Sequence, residues 1–464
     1  MILKHRELDI PPENPFANCK LKRYRYAQAL TDIVTNYSDG FVLAINNEWG
    51  TGKTTFVKMW KQYLHNQGFE TLYFNAWEND FENGALAALM AELSTLQDES
   101  TKEIFKKVLK TGAKLAKSAI PILLKAAAAK YLDKDELKDL LAEVTDSANE
   151  LLHIQIEEYT TKKKGLVEFK ESLSTYIRET SGEKPIVFII DELDRCRPDY
   201  AVEVLEKVKH FFDVPGIVFV LSIDKTQLGH AVRGHYGSEK IAAEEYLRRF
   251  IDIEYSIPEP EITEWVEYLF EYFGFLEFYE NIPKRNSQEE YDAFRKILKY
   301  LFIKQRLSLR MHEKIFAQAS IAFKTFGRSQ VIPAVFIFLI YIKTYHEELY
   351  KSIRNVELTP QQLLDSIEEL LKNFISDDVR HHFLNMEAQL ITLYDNTFIR
   401  KTQKSGIYKS EGGEIKYIVK TRFEGPVNYK LHDLLKHINE RSEYFSTPIE
   451  YLIGKIDLTE RIKL

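Results

Sequence analysis

The chain of 464 residues has two cysteines, Cys19 and Cys196, far apart. A disulfide framework is therefore excluded, a cysteine zinc site has no ligands to draw on, and a reducing, cytoplasmic compartment is expected. The first residues, Met1 to Pro15, lack the apolar core of a signal peptide. Long hydrophobic runs are scarce as well. Ala113 to Leu132 is interrupted by Lys114, Lys117, Lys125 and Lys130, and Val331 to Ile342 is short. A spanning helix needs about 20 apolar residues without lysines near its centre. The first segment reads as an amphipathic helix on the protein body, the second as a buried helix, and membrane contact is not expected. Excess positive charge is missing too: the net charge of −7 gives no global signal for nucleic acid. Internal repeats and low-complexity tracts are lacking. What remains, 45% hydrophobic and 29% charged residues, is ordinary for a folded protein with room for two or three domains.

Against this background the stretch Asn47-Glu48-Trp49-Gly50-Thr51-Gly52-Lys53-Thr54 stands out. It follows the apolar run Phe41 to Ile45 and precedes a helical pattern from Thr55 to about Gln67. Strand, glycine-containing loop and helix form the context in which backbone N–H groups curl around a triphosphate, with the positive end of the helix dipole facing it. The spacing assigns Glu48, Trp49, Gly50, Thr51, Gly52, Lys53, Thr54 and Thr55 to the nucleotide, Lys53 to the β/γ-phosphates and Thr54 to Mg²⁺. Asn47 stands where such loops usually open with Gly. Asn tolerates left-handed backbone angles, so the turn is expected to survive.

A second apolar run, Ile186 to Ile190, ends in Asp191-Glu192-Leu193-Asp194-Arg195. Asp191 is placed in the magnesium shell, across the strand tips from Thr54. A carboxylate beside the γ-phosphate would polarise the attacking water, and Glu192 is preferred to Asp194 for that role. Further strands are expected at Glu70 to Asn75, Ile217 to Ile223 and Phe250 to Ser256. Helical stretches between them imply right-handed crossovers and a parallel sheet. The fourth strand ends at Asp224, a polar group able to sense the γ-phosphate. Tyr246 to Asp252 resembles the arginine segment of AAA+ proteins, which lies just before the last core strand, and the resemblance implies that Arg248 or Arg249 stabilises transition-state charge in a neighbouring subunit. Arg310 in Leu307 to Glu313, with Ser308 as N-cap, opens a helix of a lid facing the nucleotide. No Asn-Lys-x-Asp guanine reader is present, which favours ATP over GTP.

The fold expected is α/β: a three-layer P-loop NTPase core with a parallel five-stranded sheet and an inserted strand. Residues 1–258 would form the core, with a long helical insertion over 82–181 split near Lys162-Lys163-Lys164-Gly165. Residues 259–350 would form a helical lid and 351–464 a C-terminal helical region. A β-hairpin is expected over about 398–423, where Gly406, Gly412 and Gly413 punctuate β-branched and aromatic residues. Residues 398–422 carry seven Lys/Arg against two Glu, which leaves nucleic-acid contact open beside protein docking.

Together, several segments resemble the KAP family of P-loop NTPases. They are Asn14 to Asn18, Glu48 to Thr54, Phe74-Asn75-Ala76-Trp77-Glu78, Ile190 to Cys196, Ile223-Asp224-Lys225 and Tyr246 to Phe250. The family commonly has two Asp where this chain has Asp191-Glu192. Many members carry paired membrane helices between the two motifs, where this chain has only the lysine-broken segment. The resemblance implies an ATPase with ATP and Mg²⁺ as cofactors, assembling as a homo-oligomer or with partner proteins of a defence operon. Bacterial relatives include phage-exclusion and antiphage ATPases, so antiphage defence is the implied context. A slow nucleotide switch and a nucleic-acid-stimulated remodeller are the alternatives.

Overall fold

The computed structural model describes residues 8–37, 39–81, 84–115, 153–275, 277, 287–304, 308–325, 332–371, 377–411, 414–424, 430–440 and 447–461. They fall into two compact units, Leu8–Glu259 and Pro260–Leu464.

The first unit is built on five strands: β1 (Phe41–Asn46), β2 (Thr71–Asn75), β3 (Ile186–Asp191), β4 (Ile217–Ile223) and β5 (Ile253–Tyr255). They form one parallel sheet in the order β2-β3-β4-β1-β5. Every residue of β3 and β4 is buried, as expected of apolar central strands covered on both faces. The fifth strand is shorter than the expected Phe250 to Ser256, because Phe250 and Ile251 close the preceding helical turn onto Leu247.

Alternation along the strands divides the core. Val187, Ile189, Val218, Val220, Leu43 and Ile45 pack with α1 (Tyr24–Asn36) and α2 (Lys53–Asn66) through Leu30, Phe56 and Trp60. Phe188, Ile190, Phe219 and Leu221 face the opposite layer. That layer holds α3 (Ala85–Leu93), α4 (Lys102–Leu115), α5 (His153–Ser181) and α6 (Pro198–Phe211). Two further helices, α7 (Lys225–Tyr236) and α8 (Ala243–Leu247), lead to β5.

One expected break is absent. Helix α5 runs unbroken through Lys162-Lys163-Lys164-Gly165. A glycine inside a helix costs about 1 kcal/mol, and α5 offsets this by burying Phe169, Leu173, Tyr176 and Ile177. The rest of the expected insertion, and most of Ala113 to Leu132, lies outside the described residues.

The second unit is mainly helical: α9 (Ile262–Tyr272), α10 (Ser287–Lys304), α11 (Leu309–Thr325), α12 (Pro333–Tyr345), α13 (Glu347–Arg354), α14 (Pro360–Leu371), α15 (Asp377–Thr402), α16 (Leu431–Glu440) and α17 (Ile449–Arg461). Helix α12 is buried along Pro333–Ile342, all round rather than on one stripe. No helix among the described residues is long and apolar enough to cross a membrane. The hairpin is much shorter than expected: β6 (Tyr408–Glu411) pairs antiparallel with β7 (Glu414–Tyr417). Phe398 instead belongs to α15, which continues to Thr402 and stops where Gln403 turns left-handed at φ 59°. Burial of Leu390, Ile391 and Tyr394 carries the helix through the basic segment.

Candidate nucleotide site

The site lies at the carboxyl ends of the parallel strands. The chain leaves β1 at Asn46, turns through residues 47–52 and enters α2 at Lys53. Gly50 and Gly52 have φ of 81° and 82°, angles that open the loop and that side chains other than glycine rarely adopt. Asn47 lies outside the left-handed region. The expectation that its tolerance of such angles preserves the turn is therefore replaced by a different physical role. Its Nδ2 donates to the Ile257 carbonyl at 2.8 Å, and its Oδ1 accepts from the Ile257 N–H at 2.9 Å. Asn47 staples the start of the loop to the segment after β5, which a glycine would leave unbonded.

Lys53 is nearly buried, and its ammonium donates to the Glu48 carbonyl at 3.0 Å and to that of Asn47. Burial lowers its pKa, opposed by Asp194, Asp224 and Asp191. All three carboxylates thus lie within electrostatic reach of one ammonium. Thr54 and Thr55 follow in the first turn of α2, where backbone N–H groups have no helical partner.

Arg23 was not indicated by any motif. It is 2% exposed; its Nη2 donates to the Thr51 carbonyl at 2.7 Å and its Nη1 to the Gly52 carbonyl at 3.1 Å. Burial brings its pKa down to about 10, so it remains a cation at neutral pH. Holding those carbonyls on the far side of the loop leaves its N–H groups to turn inward.

Asp191 ends β3 in register with Ser222 of β4 and Asn75 of β2. Alternation puts Asp191 and Ser222 on the face that α2 covers, together with Ile189 and Val220. The Tyr73 hydroxyl donates to Asp191 Oδ2 at 2.9 Å, and the Glu192 N–H to its Oδ1 at 3.0 Å. The Ser222 hydroxyl beside it is fully buried and has no hydrogen-bond partner. Burial and the neighbouring carboxylate push the Tyr73 phenol well above its ordinary value, which keeps it a donor.

Glu192 has a left-handed backbone, φ 61°, and pairs with Arg195 at 3.2 Å. Asp194 is buried and accepts a hydrogen bond from the Trp49 indole N–H. Burial raises its pKa, while Trp49 and Lys53 oppose the shift. Asp224 caps α7, its Oδ1 accepting from the N–H groups of Thr226 and Gln227 at 3.1 and 3.2 Å.

The fold therefore collects Glu48 to Thr55, Asp191, Glu192, Asp194 and Asp224 at one end of one sheet. Arg248 and Arg249 remain exposed after α8, Arg248 paired with Glu245 at 2.6 Å. Arg310 is exposed in the first turn of α11, in the second unit. The donor set suits a triphosphate with magnesium: an open glycine loop at a helix N-terminus, a lysine, a threonine hydroxyl, a strand-tip carboxylate and the unpartnered Ser222 hydroxyl on the same face.

The KAP family P-loop domain matches residues 23–370. Among solved structures, the chain is similar to the Aeropyrum pernix ORC2 protein, solved in ADPNP–ADP complexes: 16% identity, TM-score 0.33, covering 95% of this chain and 94% of that one. It is also similar to Drosophila ORC bound to GC-rich DNA and Cdc6: 15% identity, TM-score 0.31, covering 83% of this chain and 54% of that one. No curated protein matches it.

Proposed function

The chain belongs to the KAP family of P-loop NTPases, and from that membership we propose that it binds ATP with Mg²⁺ and hydrolyses it. The observation that carries this reading is the sheet register. It sets Asp191 on the face covered by α2, with Lys53 in the field of Asp191, Asp194 and Asp224. Lys53, held by two loop carbonyls, would exchange them for phosphate oxygens. Thr54 and Asp191 would hold the metal, which when bound neutralises charge on the β- and γ-oxygens.

Glu192 is the residue we assign to the attacking water, since Asp194 is committed to Trp49. The water oxygen bonds to the γ-phosphorus and its proton passes to Glu192. The bond to the β-γ bridging oxygen breaks, its electron pair leaving with ADP. Exposed Arg248 and Arg249 suit a contribution to a neighbouring copy's nucleotide in a homo-oligomer. The family's phage-exclusion and antiphage members support a cytoplasmic role in bacterial antiphage defence.

Calorimetric titration tests the binding step. ATP is expected to bind with magnesium and to lose most of its affinity when the metal is chelated. Well-folded protein giving no magnesium-dependent heat with ATP would refute the reading. Glu192→Gln is expected to bind ATP while losing on the order of a hundredfold in turnover. If Asp194→Asn shows that phenotype instead, the two carboxylates exchange roles.

A further inference from the structure

We propose that Arg195 is a positioning residue for hydrolysis: it fixes the carboxylate of Glu192 and makes its pose depend on the nucleotide loop through Trp49. This rests on Glu192 as the water-activating group. Glu192 leaves the strand in a left-handed conformation, uncommon for a residue with a side chain. Its backbone N–H is tied to Asp191 Oδ1, so the turn is anchored to the residue placed at the metal. Its carboxylate is paired with the Arg195 guanidinium at 3.2 Å, and both side chains are largely buried, 14% and 24% exposed.

The guanidinium is itself held. Its carbon lies 6.0 Å from the centre of the Trp49 ring and 5.6 Å from that of Trp77. Both indoles are half-exposed, at 44% and 53%. As aromatic walls for a cation they gain an electrostatic role there. Trp49 belongs to the phosphate loop, and its indole N–H is anchored on Asp194. Trp77 follows β2. Arg195 thus joins the loop, the turn after β2 and the acidic turn after β3 in one contact. A planar guanidinium can stack on rings and reach a carboxylate at once; a lysine ammonium cannot do both in the same geometry. A nucleotide that reshapes the loop would move Trp49, and with it the group that aims Glu192.

Steady-state ATPase measurements on the full chain test this with Arg195→Ala, Arg195→Lys, Trp77→Ala, Glu192→Gln and the Arg195→Ala/Glu192→Gln double variant. Arg195→Ala is expected to lower kcat on the order of tenfold while KM for ATP stays within about threefold, and Arg195→Lys to recover part of the loss. Trp77→Ala, at an exposed position that should not disturb folding, is expected to lower kcat about threefold, and it carries the test if Arg195→Ala does not fold. The double variant is expected to be no slower than Glu192→Gln alone, because the two residues act as one unit. Wild-type kcat in Arg195→Ala, beside a silent Glu192→Gln, would overturn the positioning role and leave Glu192 in place. A large rise in KM at unchanged kcat would overturn it in favour of a phosphate contact. Wild-type turnover in Glu192→Gln would remove the assignment of Glu192, and this inference with it.

Discussion

In the unit Leu8–Glu259, Lys53, Asp191, Asp194 and Asp224 gather where the strands of one sheet end; among the described residues of Pro260–Leu464, Glu387 and His312 are buried without an ion-pair partner, although Glu368 beside Glu387 pairs with Arg422 at 3.4 Å. Glu387 is fully buried with Glu368 as its charged neighbour, accepts from the Thr421 hydroxyl at 3.0 Å, and leaves its Oε1 without a partner. Burial, and then Glu368, hold its carboxyl well above the usual range. His312 stacks on Phe302 at 4.1 Å with neither ring nitrogen bonded, and burial pushes its pKa down to about 3. Burial shifts Glu387 and His312 toward their neutral forms, while the first arrangement surrounds an ammonium with carboxylates that support its charge. Burial alone therefore does not mark a functional group; burial among opposite charges at strand tips is what singles out the candidate site.

The largest expected effect breaks the first arrangement at its centre. Lys53→Ala should weaken ATP binding on the order of a hundredfold, because phosphate charge loses its cation. Equal affinities by calorimetry would disprove the role. Next, Arg23→Ala should cost about 2–3 kcal/mol in denaturant unfolding, since the Thr51 and Gly52 carbonyls lose buried donors, and should weaken ATP binding too. Stability and affinity both unchanged would show that the loop keeps its shape without this brace.

A smaller loss, about 1–2 kcal/mol, is expected for Asn47→Ala, which breaks the two-way pairing with Ile257. Asn47→Gly should not rescue it, although Gly is the usual residue there; rescue would return the position to a backbone requirement. The smallest effect sharpens the other side of the comparison. A raised carboxyl pKa gives the native state stability that is complete below the ordinary value of 4.5 and is lost as pH rises through the raised one. Glu387→Gln should remove that loss, so its stability relative to wild type should rise with pH by about 1 kcal/mol. A pH-independent difference would mean that Glu387 is not the group that titrates.

Much of the site was legible because its parts are local. Gly50, Gly52, Lys53 and Thr54 lie within five residues of one another in a strand-loop-helix segment, so their spacing alone picks them out. Asp191 was legible from an apolar run ending in acid. The hairpin was overextended because turn residues and aromatics in 398–407 suggested strand, whereas the buried side of α15 outweighed local preference. The lysine run of α5 misled for the same reason: packing on α4 prevailed over one glycine.

The sequence by itself determined the nucleotide loop, the acidic strand end, the alternation of strands and helices, and the resemblance to the family that the chain proved to belong to. Only the tertiary structure decided that β5 lies at the sheet edge beside β1, that Arg23 holds the loop, that Asn47 bonds Ile257, and that Arg195 lies over two indoles. The reason is separation along the chain. Periodicity and motif spacing report on neighbours within a few turns, whereas these contacts join residues 28 to 210 positions apart. Sheet order and register bring such residues together, and hydrophobic packing over the whole unit sets both.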